Sequence, residues 1–226
     1  MKGIVSSIFA CALAISSSCS FAGSGFVFDQ WKLSQIYICS SAQSAFQENI
    51  SLKIVTGGEE KEVVPNANSG YNPSVFLGDF LGNGLNQIFY SVESGGSGDY
   101  SFYQLYSGEN GEISSIFDSQ NFNQNLSATI QGDIINIEYL GQTLLLDASK
   151  NDLSGAREVT VSPINTILPL YNTAFDRYQM LVYQKVYVDY TANNVGYVTT
   201  LLDFSTGQAN VVNVGVALNF DYAQTL

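Results

Sequence analysis

The feature that most constrains this chain is its punctuation. Short runs rich in Val, Ile, Tyr and Phe recur along it, separated by Gly, Asn, Asp and Ser turns. Such runs stand at 51–55, 62–64, 87–92, 100–106, 113–117, 134–139, 142–146, 180–190, 195–204 and 211–222. Thr56-Gly57-Gly58-Glu59, Glu109-Asn110-Gly111 and Thr206-Gly207 lie between them as turn signals. Regular strand spacing with glycine and asparagine turns predicts an all-β chain, a propeller-like fold or a sandwich of short antiparallel strands, with a barrel as the other way to close such strands. Only Asp29 to Phe46 and Ser162 to Tyr171 look able to hold a helical turn or two.

The start of the chain reads differently. Lys2 precedes an apolar stretch from Ile4 to Ile15, and Ser20-Phe21-Ala22 offers small residues where a signal peptidase reads. The expectation is a secretory leader over residues 1–22 and a single all-β domain over 23–226, secreted, periplasmic or at the cell surface. No stretch reaches the roughly 20 apolar residues of a spanning helix. Cys19 invites a lipoprotein reading, but Ser16-Ser17-Ser18 is a poor version of the motif that precedes a lipidated cysteine. Cys11 and Cys19 would leave with the leader, so Cys39 is expected alone, with no internal disulfide. It then reads as a small buried hydrophobe within Gln35-Ile36-Tyr37-Ile38, in preference to a reactive thiol.

The segment from Val75 to Tyr106 organises the rest. Val75 to Leu77 enters a tight loop holding Asp79, Asn83 and two glycines, Ile88 to Val92 leaves it, and Gly95-Gly96-Ser97-Gly98 turns the chain into a third strand. Gly78-Asp79-Phe80-Leu81-Gly82-Asn83-Gly84-Leu85-Asn86-Gln87-Ile88 resembles the core of FG-GAP/VCBS-type repeats, whose pattern is Gly-Asp-Phe-x-Gly-Asp-Gly-x-x-Asp before an apolar strand. The glycine-rich Glu93 to Gly98, with Phe102, Tyr103 and Tyr106, is similar to small secreted bacterial proteins of that class. A second unit resembles the first less closely: Leu170-Tyr171, Phe175-Asp176-Arg177, Leu181-Val182-Tyr183-Gln184 and Gly196 to Leu202. Residues 75–106 and 170–204 therefore read as two diverged units of one domain.

The resemblance implies calcium, since such loops gather several oxygen ligands at short spacing. Asp79, Asn83 and Gln87 stand at ligand positions, but Leu81 replaces an oxygen donor, and Asn83 and Gln87 replace carboxylates. In the second unit Ala174 occupies the first-ligand position. One carboxylate predicts weak calcium binding at best, and the competing reading is a turn in which Asp79 caps backbone amides. No other cofactor is expected.

Composition excludes more than it supports. The chain has no histidine, which removes Ser-His-Asp and Cys-His catalysis and His-ligated zinc. A carboxylate pair drawn from Asp118, Asp133, Glu138 or Asp147 remains formally available for hydrolysis. Twenty acidic residues bring some carboxylates together by chance, so this is the weakest reading. A net charge of −12 disfavours nucleic acid and anionic lipid. Gly95 to Gly98 lacks the Lys-Ser/Thr and helix of a phosphate loop, and Glu59-Glu60-Lys61-Glu62 reads as a solvated hairpin tip.

Tyrosine is the surplus. Tyr100, Tyr103, Tyr106, Tyr187 and Tyr190 are the candidates for a ligand surface, because tyrosine offers apolar area with a polar tip at low entropy cost. Core packing competes for the same residues. The leading expectation is a secreted or cell-surface, non-enzymatic protein that recognises a protein or glycan partner. The alternative is an outer-membrane β-barrel, drawn from the alternation Val212, Val214, Val216, Leu218, Phe220, Tyr222 against Asn213, Gly215, Ala217, Asn219, Asp221.

Overall fold

The computed structural model describes residues 17–41, 44–96, 100–109, 111–122, 124–151, 153 and 155–218. Sixteen strands account for the fold, with no helix among the described residues. They are β1 (Ser18–Asp29), β2 (Lys32–Ser40), β3 (Phe46–Gln47), β4 (Ser51–Thr56), β5 (Glu59–Val63), β6 (Gly70–Gly78), β7 (Gln87–Glu93) and β8 (Ser101–Glu109). There follow β9 (Glu112–Asp118), β10 (Ser127–Gln131), β11 (Ile134–Tyr139), β12 (Gln142–Asp147), β13 (Val159–Asn172), β14 (Arg177–Val188), β15 (Asn194–Asp203) and β16 (Asn210–Leu218).

Every pairing is antiparallel, and the strands form four open sheets. The first has the order β1-β2-β4-β5, the second β3-β6-β7-β8-β9, the third β10-β11-β12 and the fourth β13-β14-β15-β16. Three apolar cores hold them together. Ile36, Ile54 and Leu52 of the first sheet meet Ile88, Tyr90 and Tyr106 of the second. Phe89, Tyr103, Leu105 and Phe117 point to the opposite face of that second sheet, where they meet Met180, Val182 and Leu202 of the fourth. The side-chain period of two thus buries both faces of β7 and β8. The fourth sheet is long enough for one face to serve twice. Met180 and Val182 pack on the second sheet, while Val186 and Val188, of the same parity, pack on Ile135, Ile137 and Leu146 of the third. The first sheet therefore packs on the second, and the second and third sheets both pack on one face of the fourth.

Two segments expected to carry helical turns are strands. β2 lies within 29–46, and β13 covers 162–171. β13 holds Pro163 and Pro169, which lack an N–H, and it tolerates them as an edge strand. The pairing register with β14 shifts on both sides of Ile164, next to Pro163.

The expectation of a lone Cys39 is corrected. Cys19 stands opposite Cys39 in the β1–β2 ladder, their Cα atoms 4.0 Å apart, and the two form a disulfide. β1 also runs through Ala22 and Gly23, with Phe21 edge-on to Tyr37 at 5.7 Å. A cut after Ala22 would divide this strand and remove Cys19. Most of the expected leader, residues 1–16, lies outside the described residues, as do Phe220 and Tyr222 of the alternation that suggested a barrel. The described part of that alternation turns Val214 and Val216 toward the core shared with the third sheet.

Candidate functional site

The loop from Asp79 to Asn86 joins β6 to β7 and touches three sheets. Asp79 accepts backbone N–H groups at both carboxylate oxygens: Gly82 at 2.6 Å and Asn83 at 3.2 Å on Oδ1, Gly84 at 2.7 Å on Oδ2. Gly82 and Gly84 have φ of +73° and +78°, which only glycine adopts freely, and this turns successive amides inward. Gln87, fully buried, accepts from the N–H of Phe80 at 2.6 Å and of Leu81 at 3.1 Å. Asn83 Oδ1 accepts from Leu85 N–H at 3.0 Å. All three expected calcium ligands thus face amide hydrogens. A hard cation needs free oxygens, and this donor set does not fit one. The loop is instead a turn in which Asp79 caps backbone amides.

What the loop does hold is neighbouring sheets. Asn86 Oδ1 accepts from Phe26 N–H at 2.8 Å, tying the loop to β1, and the Asp79 carbonyl accepts from Tyr178 N–H at 2.7 Å, tying it to β14. Phe80 sits fully buried between Phe76, Phe89, Tyr178 and Phe204. Close by, Arg177 donates from Nε and Nη2 to Asp203 Oδ2 at 3.0 and 2.8 Å, and Gln179 adds a third bond at 3.1 Å. Burial pushes the Asp203 carboxyl up, but hydrogen bonds from Ser205, Arg177 and Gln179 outweigh it and hold the group down at about 2.

The tyrosines divide. Tyr103 and Tyr106, expected on a ligand surface, are core residues only 7% and 4% exposed. Tyr103 stacks on Phe89 at 5.6 Å, and the Tyr106 hydroxyl donates to Gln104 Oε1 at 2.9 Å. They fall on β8, whose two faces are both covered, so neither parity could reach solvent. Tyr190 is 64% exposed in the β14–β15 turn. Tyr100 and Tyr187 are half-buried and near enough to interact electrostatically; burial first, then Tyr187, raises the Tyr100 phenol.

Tyr100 leads to a groove between the second and fourth sheets. Two adjoining cavities of about 160 and 380 Å³ share Ser119, Gln120, Pro163 and Ile164. The larger is within the ~300–1,000 Å³ of ordinary ligand pockets. Its other walls include Phe122, Gln124, Ser162 and Gln184, and among the described residues neither cavity is lined by an Asp, Glu, Lys or Arg. The irregularity at Ser162-Pro163 shapes it. Lys185 N–H donates to Ser162 Oγ at 2.8 Å, and Gln184 Nε2 donates to the Ser162 carbonyl at 2.9 Å. A carbonyl only accepts, so the amide nitrogen of Gln184 must face it and Oε1 must face away. That oxygen is buried and accepts no hydrogen bond among the described residues. Gln124 is anchored differently, by exchange with Thr200 Oγ1 at 2.8 Å.

Of the groove residues, sequence reading found only Tyr100. The available signal was Pro163 within a β run, which marks an edge or a bulge. The carboxylate candidates do not converge. Asp118 is engaged by Asn66 Nδ2 at 2.6 Å and Gln104 Nε2 at 3.3 Å, whereas Asp133, Glu138 and Asp147 are exposed on the third sheet. No group of three metal-ligating side chains occurs among the described residues. A separate pocket of about 260 Å³ at the β1–β2 and β4–β5 hairpins mixes Lys32 and Lys61 with Asp29 and Glu59.

Fold and site together define an all-β protein of stacked antiparallel sheets with an uncharged groove between two of them. No family model and no solved structure matches the chain. It is similar to the uncharacterized protein YybI of Bacillus subtilis strain 168, 29% identical over 195 residues that cover 75% of this chain and 72% of that protein.

Proposed function

We propose that this chain is an exported, non-enzymatic binding protein that recognises a protein or glycan partner outside the cytoplasm through its all-β scaffold. The observation that carries the reading is the groove between the second and fourth sheets, whose walls include Tyr100, Phe122, Gln120, Gln124 and Gln184. Aromatic area beside neutral polar side chains favours recognition over chemistry, because among the described residues no carboxylate, amine or guanidinium lines the groove. The Cys19–Cys39 disulfide supports export, since disulfides persist in oxidising compartments. Export with Cys19 retained requires that the leader be removed ahead of Cys19, not after Ala22. The repeat-type resemblance around Asp79 agrees with an extracellular scaffold.

The test is retention. Wild-type protein and a Tyr100→Ala/Gln120→Ala double variant, both immobilised, are exposed to a solubilised cell-envelope fraction. The expected result is a component held by wild type and lost by the variant. Equal retention by both, or none by either, would overturn the reading.

A further inference from the structure

We infer that two copies of this protein join edge to edge through β16, antiparallel about a two-fold axis at Gly215, so that two four-stranded fourth sheets become one continuous sheet. An unpaired sheet edge is a template for another strand unless charge, proline, shortness or an irregularity blunts it. Every other edge of the four sheets is blunted in one of these ways. β5 reads Glu-Glu-Lys-Glu-Val, β3 and β10 have two and five residues, β9 begins at Glu112 and ends at Asp118, and β12 ends at Asp147. β13 holds two prolines. β1 has two register shifts, and Asn86 takes both backbone groups of Phe26, its N–H donating to the carbonyl at 2.6 Å and its Oδ1 accepting from the N–H at 2.8 Å.

β16 is the exception. It reads Asn-Val-Val-Asn-Val-Gly-Val-Ala-Leu, nine residues without charge or proline, and among the described residues no strand pairs with its far side. Its one register shift falls at Val212, and Asn213 to Leu218 pair regularly with β15. Val212 and Leu218 are 56% and 38% exposed.

The strand is complementary to itself. With Gly215 opposite Gly215 at the axis, Val214 of each copy meets Val216 of the other, Asn213 meets Ala217, and the exposed Val212 and Leu218 cover one another. Opposed residues of an antiparallel pair share a face, so the valines stay on the side that packs against the third sheet. Charge selects a second copy over a foreign strand. Residues 204–220 hold no charged side chain, so two chains of net charge −12 meet where neither presents charge, and a basic strand drawn to the acidic surface meets no carboxylate along β16. The pairing uses both edges and closes at two copies.

The experiment is sedimentation equilibrium of the purified full protein over a range of protein concentrations, at low and high salt. Expected is a reversible dimer, strengthened by salt because screening weakens the repulsion between two acidic chains. Asn213→Lys/Ala217→Lys sets lysines opposite one another and should weaken the dimer tenfold or more, whereas Ser114→Lys on the β9 edge should leave it unchanged. If the double variant does not fold, Gly215→Cys carries the test, since the nearest atom to a Cβ at that position is Thr199 Oγ1 at 3.3 Å. Oxidation should link two copies of Gly215→Cys and leave Ser114→Cys unlinked. A monomer at every concentration and salt, a dimer equally strong in the double variant, or no link through Gly215→Cys overturns the inference. A monomer that dimerises only when residues 219–226 are removed makes the chain's own end the occupant, and a monomer that retains an envelope polypeptide lost in the double variant makes it a foreign strand; either result overturns the second copy.

Discussion

Tyr178 donates its backbone N–H to the carbonyl of Asp79 at 2.7 Å, fastening the β6–β7 loop of the second sheet to the first residues of β14 in the fourth. The same loop reaches β1 through Asn86 and Phe26, so one short turn registers three of the four sheets. Phe80 is its apolar counterpart, fully buried within four aromatic neighbours.

Phe80→Ala therefore leaves a cavity between the second and fourth sheets. The expected cost is about 3–5 kcal/mol, a large share of a domain's ~5–15 kcal/mol. Denaturant unfolding checks it. An unchanged midpoint would remove the loop from the centre of the fold.

The Asp79 carboxylate is taken up by amides, so calcium has little to bind. Unfolding temperatures in EGTA and in 2 mM calcium should agree to within a few degrees, with magnesium as a control. Asp79→Ala should cost about 2 kcal/mol in either medium, because three N–H groups lose a charged acceptor. A calcium-selective rise of ten degrees, abolished by Asp79→Ala, would contradict this.

The disulfide closes a loop with a sequence separation of 20. Loop-closure entropy assigns such a cross-link about 3 kcal/mol. Cys39→Ser, or reduction of the wild type, should lower stability by that order. Peptide mapping of the purified protein without reduction should find Cys19 and Cys39 linked. A mature chain that begins at Gly23 would defeat the assignment.

Asp203 sets an acid limit. Its folded-state carboxyl lies at about 2, below the ~3.9 of an unfolded aspartate. A depressed carboxylate contributes stability that is fully present above the unfolded value and is lost as pH falls through the folded one. Stability should therefore drop between pH 4 and 2 in wild type. In Asp203→Asn the drop over that window should be smaller, from a lower starting point, because Arg177 has lost its charged partner. Parallel pH profiles would show that Asp203 is not the group responsible.

Much of the β architecture was legible because β7, β14 and β15 are dense in Val, Ile, Tyr and Phe and end in turn residues. β2 was obscured because Leu33, Tyr37 and Cys39 on its outer parity are as apolar as Ile36 and Ile38 on the inner one, which erases the alternation. β13 was obscured by two prolines that only an edge position permits. The disulfide was hidden because Ser20-Phe21-Ala22, which forms part of β1, carries the small residues of a cleavage site and so sets Cys19 aside in the sequence. In the site, Tyr100 was found, but Tyr103 and Tyr106 were misplaced. A strand covered on both faces has no solvent parity, and only the stacking of sheets reveals that it is covered. Gln184 was invisible because its lone acceptor arises from the irregularity at Ser162-Pro163 in another strand.

The proposed function places binding at the groove between the second and fourth sheets. Hydrogen–deuterium exchange of the full protein, with and without the envelope component it retains, tests this most directly. Slowed exchange is expected at residues 119–126, 161–164 and 184–185 and nowhere else. Protection mapping instead to the Lys32/Lys61 pocket or to the exposed hairpin carrying Trp31, with the groove unchanged, would contradict it.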